Sequence, residues 1–222
     1  MNPTAPRLLI DSADRAQAEA LLGTGAFVGL TTNPTILERG GCRAADLPAV
    51  HAWARAAGAE EICFQTWGTT ADELLANASR LLEIDPGLVV KVPTTAPGIR
   101  AAARLVDQGV EVLLTAVYRP AQMLAACAIW VRYVAPYVGR MADTGTADAV
   151  GATVAMQQIA DRAGTSTLVL AASLRTVEEV IALAVGGVRA FTLSPPVAWE
   201  VLTDERSQAA TDVFEDTMGR LG

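Results

Sequence analysis

The chain has 222 residues, of which 51% are hydrophobic and 18% charged, and this balance excludes a disordered protein. Its formal net charge of −7, with no basic cluster, argues against nucleic acid or an anionic membrane as a partner. No apolar run approaches the roughly 18 residues that a transmembrane helix needs.

Short apolar runs alternate with Ala-rich stretches of helical periodicity along the chain. Eight strands are predicted, at Leu8–Asp11, Val28–Thr32, Glu61–Thr66, Leu88–Val92, Val110–Val117, Tyr133–Val138, Thr167–Ala172 and Ala190–Leu193. Helices are predicted between them and after the last, at Ala13–Leu22, Leu47–Ala57, Ala71–Leu82, Ile99–Gln108, Pro120–Ile129, Asp148–Arg162, Val177–Val185 and Pro196–Leu202. A further helix, Gln208–Met218, is predicted in the C-terminal segment 207–222.

The alternation predicts the fold class. Thr70 and Glu73 form a capping box before a helix, and glycines fall where helices should end, at Gly23, Gly58, Gly109 and Gly164. Eight strand–helix units predict an α/β protein, a (β/α)8 TIM barrel in one domain over residues 1–222 with an extra C-terminal helix. An open doubly wound sheet should have a Gly-rich turn after its first strand, and residues 11–14 contain no glycine.

Lys91 is the only lysine among 17 basic residues, and it lies inside the apolar run Leu88–Val92. Lysine is the basic side chain that can lose its proton and attack a carbonyl, because guanidinium stays protonated. Burial favours the neutral form of an amine, so Lys91 is the candidate nucleophile. A structural salt bridge with Asp11 is the alternative explanation for a buried lysine.

Polar residues lie at or near seven of the eight predicted strand ends: Asp11, Asn33, Gln65, Lys91, Thr115, Tyr137 and Ser173. Because a TIM barrel has its active site at the C-terminal ends of its strands, these side chains should converge on one site. Each also has a structural explanation. Asp11 could cap a helix, Asn33 could serve a turn before Pro34, and Thr115 could be an ordinary strand residue. Gln65 and Tyr137 could be core residues with satisfied hydrogen bonds.

Four segments carry a resemblance to a known family: GLTTNPT at 29–35, VVKVPTT at 89–95, YVAPYVGR at 133–140 and AASLR at 171–175. In this order they resemble the transaldolase family, and within it the small fructose-6-phosphate aldolases. The resemblance implies a (β/α)8 barrel and a class I mechanism that uses neither a metal nor another cofactor. It implies a ketone donor and an aldehyde or sugar-phosphate acceptor as small-molecule partners.

The resemblance also implies roles for single residues. Lys91 matches the Schiff-base lysine and Asp11 the acid/base aspartate, while Thr115 matches the residue that positions a water. Substrate-binding roles fall on two groups, the donor-side residues Thr32 and Asn33 and the phosphate-side residues Arg140, Ser173 and Arg175.

Two further positions distinguish the branches of the family. Transaldolases have Glu on the third strand and Phe on the sixth, where the aldolases have Gln and Tyr. This chain has Gln65 and Tyr137, which indicates an aldolase. A transaldolase that moves a dihydroxyacetone unit between sugar phosphates is the near alternative. A non-catalytic sugar-phosphate-binding barrel is the other.

The sequence also carries predictions of location and assembly. The N-terminus lacks the basic-then-apolar order of a signal peptide, and Cys42, Cys63 and Cys127 have no metal-type spacing, so we expect a cytoplasmic protein with reduced thiols. His51 is the only histidine, which leaves no His-based metal site. The C-terminal helix could pack on its own barrel or on a neighbouring subunit. The resemblance implies a homo-oligomer, a pentamer or a decamer.

Overall fold

The computed structural model of the chain describes residues 5–222. Within them, eight parallel strands hydrogen-bond in sequence order and close into a barrel, as predicted. The strands are β1 Arg7–Asp11, β2 Gly29–Thr31, β3 Glu61–Gln65, β4 Val89–Pro93, β5 Val112–Val117, β6 Tyr133–Pro136, β7 Leu168–Ala171 and β8 Ala190–Leu193.

Helices alternate with the strands, and most of them pack on the outside of this barrel. They are α1 Arg15–Leu22, α2 Pro34–Arg39, α3 Leu47–Ala56, α4 Ala71–Leu82, α5 Ala96–Asp107, α6 Gln122–Ala128, α7 Val138–Asp143, α8 Ala149–Ala163, α9 Val177–Val185, α10 Pro195–Leu202 and α11 Glu205–Leu221, with a 3-10 turn at Ala44–Asp46. No helix in the described part of the chain has the length and hydropathy to cross a bilayer.

Strand alternation sets the direction of each side chain. Along β4, Val89 packs inside the barrel, whereas Val90 and Val92 pack outward in the larger core beneath the helices. Because side chains alternate between the two faces of a strand, Lys91 shares the inner face with Val89. The barrel fold therefore turns the one lysine toward its own axis.

Two short helices are missing from the sequence prediction, and one of them overlaps the end of a predicted strand. The strand predicted at Tyr133–Val138 ends at Pro136, and Val138 begins α7. The other missed helix, α2, begins directly after Asn33. Each is six residues long, so neither shows two turns of the apolar periodicity that identifies a helix in a sequence.

The C-terminal helix is present and extends over Glu205–Leu221. None of its residues is buried, so it does not pack into the core of its own barrel. Its apolar side chains Val213, Phe214 and Met218 are each at least 60% exposed.

A cluster of ion pairs lies at the N-terminal ends of the barrel strands. The Glu61 carboxylate, only 8% exposed, accepts hydrogen bonds from Arg7, Arg132 and the Tyr133 hydroxyl. Losing one partner of a buried ion pair leaves the other charges uncompensated. We expect Glu61→Ala to lower the free energy of unfolding by about 3–5 kcal/mol, measured by urea denaturation.

Glu111→Ala is the matched control, because Glu111 also pairs with Arg132 but its side chain is 54% exposed. Its effect should stay within about 1 kcal/mol, the usual value of a surface pair. If both variants lost the same free energy of unfolding, the burial of Glu61 would not matter for stability.

Candidate active site

The Lys91 side chain is 3% exposed and faces a cavity of about 180 Å³ at the C-terminal end of the barrel. Asp11, Asn33, Tyr137 and Ser173 line the same cavity. Among residues 5–222, no hydrogen bond and no ion pair within 4 Å involves the amine. The alternative of a fixed salt bridge between Lys91 and Asp11 is therefore not found. The amine is buried, close to open space, and available to a ligand.

Asp11 ends β1 beside this cavity, and it does not cap α1, because Asp14 does. Thr31 donates a hydrogen bond to Asp11 Oδ1 at 2.6 Å, and the Thr192 hydroxyl lies 2.6 Å from that of Thr31. Burial raises the pKa of the Asp11 carboxyl above its ordinary 3.8, although Lys91, the Thr31 hydrogen bond and Arg140 all act to lower it. A carboxyl with a raised pKa is suited to exchanging protons near neutral pH.

Sequence reasoning missed Thr31 and Thr192. Both are buried on the inner face of the barrel, where they form a short hydroxyl chain that ends on the Asp11 carboxylate. The two-residue period could have placed Thr31 inside β2, but the closeness of Thr192 depends on the pairing of β1 with β8.

Gln65, Thr115 and Tyr137 line a neighbouring cavity of about 220 Å³. The Thr115 and Tyr137 hydroxyls are hydrogen-bonded at 2.9 Å, and Gln65 pairs with Lys91 in the sheet register. Ala116 has φ +58 where the register of β5 shifts, a bulge that a sequence of non-glycine residues does not predict. These three side chains thus lie together, and Tyr137 also lines the cavity that Lys91 faces.

Asn33 lines both cavities and also caps α2. Its Oδ1 accepts a hydrogen bond from the Ile36 backbone N–H at 3.0 Å. Since the oxygen is occupied, the amide Nδ2 offers the remaining donors. Thr32, the other predicted donor-side residue, is placed differently: its hydroxyl is buried, has no hydrogen-bond partner within residues 5–222, and lies outside the lining of both cavities.

Two of the three predicted phosphate-side residues reach the cavity. Arg140 lines it with its guanidinium carbon 4.8 Å from the centre of the Tyr137 ring, and Ser173 lines it with a left-handed backbone, φ +59. Arg175 lies outside both linings and forms a two-pronged ion pair with Asp143, which lowers the pKa of that carboxyl. A Cβ on Gly139 would come within 2.8 Å of Arg175 Nε, so glycine allows this close packing.

Other lining residues were not predicted from the sequence. Ser194 follows β8, where no polar strand end had been assigned, and Arg39 ends the unpredicted helix α2. Asn33 before Pro34 could have signalled that helix, because Asn is a good N-cap and Pro is favoured in the first turn.

A family model described as transaldolase/fructose-6-phosphate aldolase matches residues 8–220, nearly the whole chain. The chain belongs to the transaldolase/fructose-6-phosphate aldolase family. The family resemblance found in the sequence is therefore confirmed, as is the barrel that it implied. Membership makes the chain an enzyme of the transaldolase/aldolase, Schiff-base type. Transaldolases and aldolases share this family, so the choice between them depends on the residues of the site.

Proposed function

We propose that the protein is a class I aldolase, a lyase that makes or breaks the bond between a dihydroxyacetone-type donor and an aldehyde such as glyceraldehyde 3-phosphate. The observation that carries the proposal is the buried, unpaired Lys91 amine that faces a cavity beside Asp11. The neutral form of an amine is the nucleophile, and an amine outside any ion pair has no bound carboxylate to displace before it attacks a carbonyl.

Cleavage begins when Lys91 Nζ attacks the ketone carbon of the bound ketose. Loss of water gives a protonated imine, whose positive charge draws electrons from the adjacent carbon–carbon bond. Asp11 takes the proton of the hydroxyl beside that bond as the bond breaks, so the hydroxyl becomes the carbonyl of the released aldehyde. The electron pair stays on the donor carbon as an enamine attached to Lys91.

The enamine is then protonated and the imine hydrolysed. A water held near Gln65, Thr115 and Tyr137 supplies the proton and later attacks the imine carbon, which frees dihydroxyacetone and regenerates the amine. The hydrogen bond between Thr115 and Tyr137 supports this role, because a tyrosine hydroxyl can hold a water and relay its proton at the same time. Asn33 Nδ2 orients donor hydroxyls, and Arg140 with Ser173 binds the phosphate of the acceptor.

Arg175 has a less direct part in the proposal. Its guanidinium is committed to Asp143, so a phosphate must either displace that carboxylate or be bound by Arg140 and Ser173 without it. Thr32 can act only through its backbone position beside Asn33, since its hydroxyl lies outside the cavities.

Gln65 and Tyr137 favour an aldolase over a transaldolase. A transaldolase keeps the enamine until a second sugar arrives, whereas an aldolase protonates it. Glutamine can hydrogen-bond a water but cannot take its proton, and the tyrosine hydroxyl provides a relay that phenylalanine lacks. We therefore expect free dihydroxyacetone to be released from fructose 6-phosphate without any acceptor aldehyde. Release only in the presence of an acceptor would favour the transaldolase, and binding without turnover the non-catalytic barrel.

We expect Tyr137→Phe to slow this release by about 10²-fold, because the enamine loses its proton relay. Adding Gln65→Glu should shift the enamine further toward transfer to an acceptor aldehyde. The measurement compares dihydroxyacetone formed alone with sugar formed when acceptor is added.

Tyr118→Phe is the matched control, since Tyr118 packs edge-on against Tyr137 at 6.0 Å and lines neither cavity. The Schiff-base adduct should persist in all these variants. An unchanged release rate in Tyr137→Phe would contradict the relay.

We also propose that α11 packs on a neighbouring subunit. Its apolar side chains are exposed in the single chain, and Asp212, Glu215 and Asp216 keep its other positions solvated. The pentamer or decamer implied by the resemblance is tested by light scattering of the full chain and of a chain that ends at residue 206.

A further inference from the structure

The cavity around Lys91 is cationic in a protein that is acidic overall. Lys91, Arg39 and Arg140 line it, with Asp11 as the only carboxylate in its lining, while the whole chain has a net charge of −7. Within the described residues 5–222, the guanidinium groups of Arg39 and Arg140 make no hydrogen bond and no ion pair, and that of Arg140 lies over the Tyr137 ring. Unpaired guanidinium groups around a small cavity indicate an anionic ligand.

The two arginines reach the cavity from opposite sides. Arg39 ends α2, which follows β2, and Arg140 lies on α7, which follows β6. These strands are four positions apart in a closed barrel of eight, so they face each other across its axis. A single phosphate that contacted both arginines would occupy the middle of the cavity, where Lys91 lies. The carbon chain of the substrate needs that space.

Space for a second anion exists next to Arg39. Beyond this residue a groove of about 670 Å³ opens between α1, α2 and α3, and it shares Asp11, Arg39 and Ser194 with the Lys91 cavity. Three carboxylates also line this groove: Asp11, Asp14, which caps α1, and Asp46, which accepts a hydrogen bond from the Arg43 backbone. Arg39 stands at the junction with its donors free.

We propose that Arg39 binds a phosphate on the donor end of the substrate, so that this enzyme takes ketoses phosphorylated at both ends. The inference rests on the proposed aldolase function, in which Asn33 orients the donor and Arg140 binds the acceptor phosphate. Asn33 caps the same short helix that ends at Arg39, which places the arginine on the donor side. The Ser194 hydroxyl, at the same junction, adds a hydrogen-bond donor.

The first test compares dihydroxyacetone with dihydroxyacetone phosphate as donors toward glyceraldehyde 3-phosphate. The natural enzyme should have the higher kcat/KM with the phosphorylated donor. Arg39→Ala should lose about 10- to 100-fold with that donor, the range of hydrogen bonds to charged groups, and almost nothing with dihydroxyacetone. Arg43→Ala is the control, because Arg43 is exposed, pairs with Asp46, and lines neither space. Equal losses with both donors, or none, would overturn the proposal.

A binding measurement separates this inference from the aldolase proposal. In Lys91→Met, which cannot form a Schiff base, calorimetry should show fructose 1,6-bisphosphate binding about 10-fold or more tighter than fructose 6-phosphate, and Arg39→Ala should abolish the difference. Equal affinities in Lys91→Met would overturn the role of Arg39 even if the aldolase is active. If fructose 1,6-bisphosphate binds more tightly but the natural enzyme gives no borohydride-trapped adduct, only the Schiff-base mechanism is refuted.

Discussion

Lys91→Met should abolish turnover, with a fall in kcat of roughly 10⁴-fold or more, as expected when a covalent nucleophile is lost. Methionine fills nearly the same volume without an amine, so the barrel should remain folded. The expected signature is covalent: with fructose 6-phosphate and borohydride, the natural enzyme gains the mass of one reduced dihydroxyacetone adduct, and Lys91→Met gains none.

This experiment is unusually clear because the chain has a single lysine. An intact-mass gain can come only from Lys91 or from the N-terminal amine, and the variant separates these two sources. Lys91→Arg is the second control, since it keeps a positive charge in the cavity but removes the nucleophile. Activity retained in Lys91→Arg would mean that the charge acts alone and that no imine forms.

The architecture was predictable because strand and helix periods differ and the chain follows both closely. The predicted bounds of α4, α9 and β8 agree with the structure to the residue. The position of Lys91 on the inner face of β4 follows from the same alternation, which sends Val90 and Val92 outward. Convergence at the strand ends was predictable too, because parallel strands in a barrel end on one face.

The features that the sequence did not predict depend on contacts between distant parts of the chain, which leave no local sequence signal. The bulge at Ala116 lies where β5 pairs with β6, and an alanine in a sequence does not predict a positive φ. The pairing of Arg175 with Asp143 joins residues 32 positions apart, so the sequence gives Arg175 a role without showing that its charge is already used. Arg39 lies on α2, and without that helix nothing in the sequence brings it to Lys91.

The second large effect is expected at Asp11. Replacing it with Asn removes the group that takes the hydroxyl proton, and kcat should fall by about 10²–10⁴-fold. Because burial raises the pKa of Asp11 above its ordinary 3.8, the natural enzyme should lose activity on acidification at a pH above the usual carboxyl range. Thr31→Val should move this acidic limb to still higher pH, since the Thr31 hydrogen bond lowers the pKa of Asp11. An acidic limb that does not move would remove Asp11 as its source.

The raised pKa of Asp11 also predicts that the inactive variant Asp11→Asn is more stable than the natural enzyme at neutral pH. A carboxyl whose pKa is raised by folding binds its proton more tightly in the native state, so its favourable contribution is complete below the unfolded pKa and is lost as the pH rises through the folded pKa. At neutral pH the Asp11 carboxylate therefore destabilises the native state, because desolvation outweighs the opposing effects of Lys91, Thr31 and Arg140. Asp11→Asn should have the higher free energy of unfolding at pH 7, and this advantage should shrink as the pH falls toward 3.8. A variant that is less stable at pH 7 and inactive would show that Asp11 is held mainly by its partners, as a structural anchor and not as a base kept ready for the substrate.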